Sequence, residues 1–98
     1  MPRLIWSPPS RRDLIGIDAY LNAHNALAAT RILRAIRATA LRLPDHPRIG
    51  RPLAEPFRLL GVRATPYVLI YRLQEGDIEI VRIRHTSENW WPGPEAMP

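Results

Sequence analysis

Residues 66–85 read PYVLIYRLQEGDIEIVRIRH. Two runs rich in apolar and β-branched residues, 66–73 and 77–85, flank Glu75-Gly76, and that arrangement predicts a β-hairpin with a tight turn. Placing Glu75-Gly76 in the turn pairs residues whose numbers sum to 151, so Arg72 faces Glu79, Ile70 faces Val81 and Val68 faces Ile83. Opposite charges then meet, and apolar residues meet. A register slipped by one sets Arg72 against Ile80 and Ile70 against Arg82, a poorer match, and is rejected. The chosen register puts Val68, Ile70, Val81 and Ile83 on one face. The other holds Leu69, Tyr71, Leu73, Ile78 and Ile80 together with Arg82 and Arg84.

Upstream, FRLLGVR (57–63) supplies a third strand, joined to the hairpin by a turn at Ala64-Thr65. The Pro/Gly-rich segment 43–56 opposes regular structure and reads as a loop. Before it, Ala29, Ile32, Leu33, Ile36, Ala40 and Leu43 recur at helical spacing, predicting a helix over about 26–43 with Asn25 as its cap and Pro44 as its stop. Leu14, Ile17 and Leu21 mark an earlier helix, opened by SPPSRRD with Ser7 or Ser10 as cap and broken by NAHN at 22–25. So short a break folds the two back as an antiparallel hairpin over 10–43. RLIWS (3–7) reads as a short first strand.

The expected fold is therefore α/β of the α+β type: a strand, a helical hairpin, then a three-stranded antiparallel meander in one small sheet, all in a single domain over 1–98. Ile17, Leu21, Ile32, Ile36, Val68, Ile70, Val81 and Ile83 are expected in the core. The hairpin of helices covers only one sheet face. The other is left as a docking surface, or is covered by loop 44–56 or a second copy.

Composition narrows the function. There is no cysteine, which excludes disulfides and thiolate metal sites, and His24, His46 and His85 lack ligand spacing, so no metal and no cofactor is expected. No stretch approaches the length of a membrane span, and the N-terminus lacks a leader pattern, so a cytoplasmic protein with no membrane contact is expected. The net charge of +5 comes entirely from arginine, with no lysine anywhere. Residues 1–44 carry seven Arg against two acids and residues 45–98 seven against seven, so the excess lies toward the N-terminus. Clustered positive charge of this kind attracts acidic partners or nucleic acid.

The segments HPRIGRPL (46–53), PYVLIYRL (66–73) and IEIVRIRHTSENW (78–90), in this order over about residues 4–91, resemble the RelE/ParE superfamily of bacterial toxin–antitoxin toxins, particularly its ParE, or plasmid-stabilisation, branch. The resemblance implies a compact toxin neutralised by a small antitoxin. In the ParE branch that partner is ParD-like, acidic and partly disordered when free, and operator DNA is contacted only through it.

The superfamily carries two activities. RelE-like members are ribosome-dependent endoribonucleases, a chemistry that needs a base for the ribose 2′-OH, a cation at the phosphate and an acid for the leaving group. Where those nucleases commonly keep an arginine after the tyrosine of the third-strand motif, this chain has Val68, and Thr86 to Trp90 stand where they keep a terminal basic and a phenolic group. What remains of a nuclease set is Arg63, Arg82, Arg84 and His85. Several ParE-like members instead inhibit DNA gyrase without a hydrolytic centre, and on that pattern Arg82, Arg84, His85 and Trp90 face the target with no catalytic residue. Arg31, Arg34 and Arg37 of the second helix, with Leu69, Tyr71 and Ile80 of the open sheet face, would then bind the antitoxin. A third reading is an inactive member that only binds its antitoxin. Each assignment has a structural alternative: Arg82 and Arg84 as a solvated strand end, His85 bonded to backbone, Trp90 and Trp91 folded onto the core, the helix arginines as a wet face.

Overall fold

The computed structural model describes residues 2–87, so Trp90 and Trp91 lie outside the described residues. The elements are β1 (Leu4–Trp6), α1 (Pro8–His24), α2 (Ala26–Leu41), β2 (Arg51–Pro52), β3 (Phe57–Gly61), β4 (Tyr67–Gln74) and β5 (Asp77–His85). They form one five-stranded sheet in the order β1-β5-β4-β3-β2, antiparallel except that β1 runs parallel to β5. The α+β class and the meander are as the sequence predicts. The two-residue edge strand β2 is additional; it comes from the segment read as loop.

Ser7 caps α1. Its hydroxyl accepts from the Ser10 amide at 3.1 Å, and Pro8 and Pro9 occupy the first turn, where a missing N–H costs nothing. The helix runs to His24, one turn beyond the expected break. Asn25 alone separates the helices, and its side chain accepts from the Ala28 amide at 3.1 Å to start α2.

The Glu75-Gly76 turn is where the sequence places it. Glu75 and Gly76 have φ of 52° and 82°, the double left-handed geometry of a type I′ hairpin turn. Arg72 and Glu79 pair across it at 2.7 Å. The summed register holds as far as Tyr71 opposite Ile80, and then a β-bulge intervenes, so Ile70 stands opposite Arg82, Leu69 opposite Ile83 and Val68 opposite Arg84. The pairing rejected from sequence is thus the true one in the distal half of the hairpin. Val81 is the extra residue, and with Arg82 it shares the place opposite Ile70.

The bulge changes which residues share a face. Tyr67, Leu69, Tyr71, Ile78, Ile80 and Ile83 pack with Ile32, Ile36 and Ala40 of α2 in the main core. Phe57, Ile70 and Val81 form a smaller cluster with Leu53 of the preceding loop packed against it. Ile70 and Val81 lie together as expected, but Ile83 has moved to the helix side. The helices cover the face expected to be open, and loop residue Leu53 packs against the other.

The loop is held from the main core. The Tyr71 hydroxyl donates to the Pro47 carbonyl and accepts from the Gly50 amide, both at 2.9 Å. Arg58 donates to the Gly50 carbonyl at 2.7 Å. A Cβ on Gly50 would stand 2.7 Å from the Leu59 carbonyl oxygen and from the Tyr71 hydroxyl, so this position admits only glycine. HPRIGRPL is therefore a structural motif that pins the loop to the sheet.

Candidate functional site

β1 ends at Trp6 opposite Ile80, leaving the rest of β5 with an exposed edge. The start of α1 fills it. The Ser7 hydroxyl donates to the Val81 carbonyl at 2.9 Å, and Asp13 accepts from the Ile83 amide at 2.9 Å. Both satisfy backbone groups that would otherwise be open to pairing with another strand. Asp13 also takes a two-pronged contact from Arg82, Nε at 2.8 Å and Nη2 at 2.9 Å. The side chains of Arg82 and Asp13 are only 18% and 14% exposed. Arg82, read from sequence as a target or catalytic cation, is instead a latch between β5 and α1.

Beyond this latch a cleft of about 300 Å³ opens between α1 and the ends of β4 and β5. Arg12, Gly16 and Tyr20 line it from the helix, and Tyr67, Arg84 and His85 from the strands. The Tyr67 and His85 rings meet edge-on, centroids 5.3 Å apart at 84°. His85 Nδ1 receives the Ser87 amide at 3.1 Å and lies 2.7 Å from the Ser87 hydroxyl. An amide can only donate, so Nδ1 keeps its lone pair and the neutral ring carries its proton on Nε2. In that tautomer Nε2 cannot take a proton from a substrate, a geometry unsuited to a general base. Arg63 is exposed in the β3–β4 turn and is not among the residues lining the cleft. The cleft gathers cations and rings; it does not assemble the four-residue nuclease remnant. Among the described residues no cluster of His, Cys, Asp or Glu has the makings of a metal site.

The expected antitoxin residues divide. Arg34 and Arg37 are exposed on α2, whereas Arg31, also exposed, donates to the Ala64 carbonyl at 3.1 Å and so braces the β3–β4 turn. Leu69, Tyr71 and Ile80 are 0% exposed beneath the helices and offer no docking surface. Sequence reasoning missed a different apolar patch, a cavity of about 400 Å³ lined by Leu4, Trp6, Ile15 and Leu41 with Arg11 and Arg37 on it. Ile15 and Leu41 are 69% and 67% exposed. Ile15 carried a signal, since it falls off the Leu14–Ile17–Leu21 stripe and has no place in the core that stripe defines. A second cleft of about 500 Å³ continues along α2 past Arg34 and Arg37. No helix among the described residues is long and apolar enough to cross a membrane.

The arrangement has close relatives. The Toxin RelE2 of Caulobacter vibrioides is 33% identical over 87 residues, covering 89% of this chain and 98% of its own. The Toxin RelE3 of the same organism is 36% identical over 83 residues, 83% and 90% of the two chains. The putative toxin Y4kP of Sinorhizobium fredii is 30% identical over 89 residues, 90% and 92% of the two. The fold matches a chain of a chromosomal ParDE TA system from P. aeruginosa with a TM-score of 0.80, at 22% identity over 87% of this chain and 96% of that one. Residues 4–90 match the family described as the ParE toxin of the type II toxin-antitoxin system, parDE. With most of the chain matched in sequence and in fold, this protein belongs to the ParE family of type II toxin–antitoxin toxins.

Proposed function

We propose that this toxin acts by binding DNA gyrase, that it does not cut RNA, and that an acidic ParD-like antitoxin neutralises it by wrapping the outer side of the helical hairpin. The observation that carries the first part is the Asp13–Arg82 latch. Of the cations a nuclease would need at the end of β5, Arg82 is committed to holding α1. Val68 stands buried where the nuclease branch keeps a cation, and the Ser87 contact holds His85 in a tautomer that cannot act as a base at Nε2. Arg84 and His85, with Trp90 beyond the described residues, remain the target-facing end of the molecule. For the antitoxin, the exposed Ile15 and Leu41 beside Arg11, Arg34 and Arg37 suit a segment that combines apolar anchors with Asp or Glu. Such a segment gains affinity from burying the anchors even after the cost of its ordering.

Inducing the toxin without its antitoxin and scoring chromosomal breaks against messenger RNA cleavage tests the reading. DNA breaks without ribosome-dependent cleavage are expected, with His85→Gln mild. Ribosome-dependent cleavage by the purified protein, abolished by His85→Gln, overturns it.

A further inference from the structure

Gly16 lies in the interior of α1, where glycine weakens a helix relative to alanine by leaving the unfolded backbone more freedom to lose. Nothing in the structure asks for it. A Cβ built at Gly16 has no heavy atom within 4 Å, and its φ is not left-handed. Gly16 does, however, occupy the middle of a stripe. Arg12 stands one turn before it and Tyr20 one turn after, all three on the helix wall of the 300 Å³ cleft. The missing side chain leaves a trough between a guanidinium and a phenol. Across it stand Arg84 and the corner formed by Tyr67 and His85. Asp13, the one acid on this lining, is neutralised by its two bonds to Arg82. The cleft therefore presents two arginines and three rings around an opening that the helix maintains at some cost to itself.

We propose that this cleft binds a single nucleotide unit, its phosphate between Arg12 and Arg84 and its base against the aromatic walls, with Gly16 admitting the ligand close to the helix backbone. Arginine suits phosphate through its planar fork of donors, and rings stack on any base. A carboxylate side chain would engage the arginines and leave the rings without a planar partner, which is why the nucleotide is favoured over an acidic peptide. The volume lies at the small end of ligand sites, fitting one nucleotide and not a run of them. The ligand is a free nucleotide or one residue of a single strand; both present the same chemistry. The inference depends on neither the gyrase nor the antitoxin reading.

Amide chemical shifts of the full-length toxin, followed on titration with adenosine 5′-monophosphate, a short oligothymidylate, inorganic phosphate and an acidic peptide containing phenylalanine, test it. The monophosphate and the strand are expected to shift Arg12, Gly16 and Tyr20, and a preference between them identifies the source. Phosphate alone should bind about tenfold more weakly, the value of one base–ring stack. Gly16→Ala should keep binding and raise the melting temperature. Gly16→Leu, placed in open space, should fold and lose about tenfold or more in affinity, as should Arg12→Glu. Equal affinity of Gly16→Leu and the parent protein, phosphate binding as well as the monophosphate, or tighter binding of the peptide at the same amides each overturns the proposal.

Discussion

Replacing Asp13 with alanine removes three acceptor contacts at once, those to Arg82 Nε, Arg82 Nη2 and the Ile83 amide. Stripping one partner from a buried ion pair costs about 3–5 kcal/mol, and leaving a buried amide unsatisfied about 1–3 kcal/mol. Both side chains keep some access to water, at 18% and 14%, and the two losses share one site. The lower end, about 3 kcal/mol in all, is therefore the expected cost. For a chain of this length the unfolding entropy is about 0.2 kcal/mol per degree, so the melting temperature should fall by roughly 15 °C. Circular dichroism melts and urea titrations measure it. In a double-mutant cycle, Asp13→Ala with Arg82→Ala should cost about 1–2 kcal/mol less than the sum of the singles, because the second change removes the charge stranded by the first. A loss below about 1 kcal/mol for Asp13→Ala, or strict additivity, would refute the latch. The same reasoning makes Arg82→Ala a stability variant. Its toxicity should be lost together with antitoxin binding, whereas Arg84→Ala should lose toxicity and still bind the antitoxin.

Gly50→Ala should destabilise the protein by about 2 kcal/mol, because its Cβ must displace the Leu59 carbonyl or the Tyr71 ring, as urea unfolding will register. Tyr71→Phe should cost about 1–3 kcal/mol by the same assay, since the Gly50 amide and Pro47 carbonyl lose their partner. Burial raises the Tyr71 phenol above its ordinary 10.0, so the folded state holds that proton more tightly than the unfolded chain does. Its contribution is complete below pH 10.0 and declines as pH rises through the folded value; unfolding measured across alkaline pH should lose that decline in Tyr71→Phe. Arg34→Glu with Arg37→Glu should weaken antitoxin binding by about tenfold or more and flatten its dependence on salt, read by calorimetry at two ionic strengths.

The hairpin illustrates how far the sequence could be read. Arg72 opposite Glu79 and the Glu75-Gly76 turn follow from local chemistry, and both stand in the structure. The distal half does not follow from alternation, because the bulge at Val81 shifts every later residue by one. A trace was visible: Ile80 and Val81 are adjacent apolar residues, and the inward series 78, 80 resumes as 83 and not 82. Helical spacing located α1 and α2 and most of their core residues, but not which sheet face they cover, since both faces of β4 are apolar. Arg84 and His85 were legible as site residues. Arg12, Tyr20 and Tyr67 were not, because α1 and β4 meet β5 only through the tertiary fold. Asp13 was read as a helix-cap residue, and its partner lies 69 positions away.

The parallel pairing of β1 with β5 has a temporal side. Leu4 leaves the ribosome early, yet its strand partner, Ile78, follows it by 74 residues. At ordinary rates of translation that is a wait of roughly 4–15 s, during which α1 and α2 exist without the strand they pack on. β5 sits between β1 and β4, so no fragment that lacks it has a continuous sheet. The Arg84–His85 end is also the last part of that strand to be synthesised. A nascent or truncated toxin is thus an unfolded chain exposing the apolar face of its helices, while the finished one becomes active within a single step of closure. The interval gives an antitoxin made beforehand time to be present when the toxin first acquires a shape to bind.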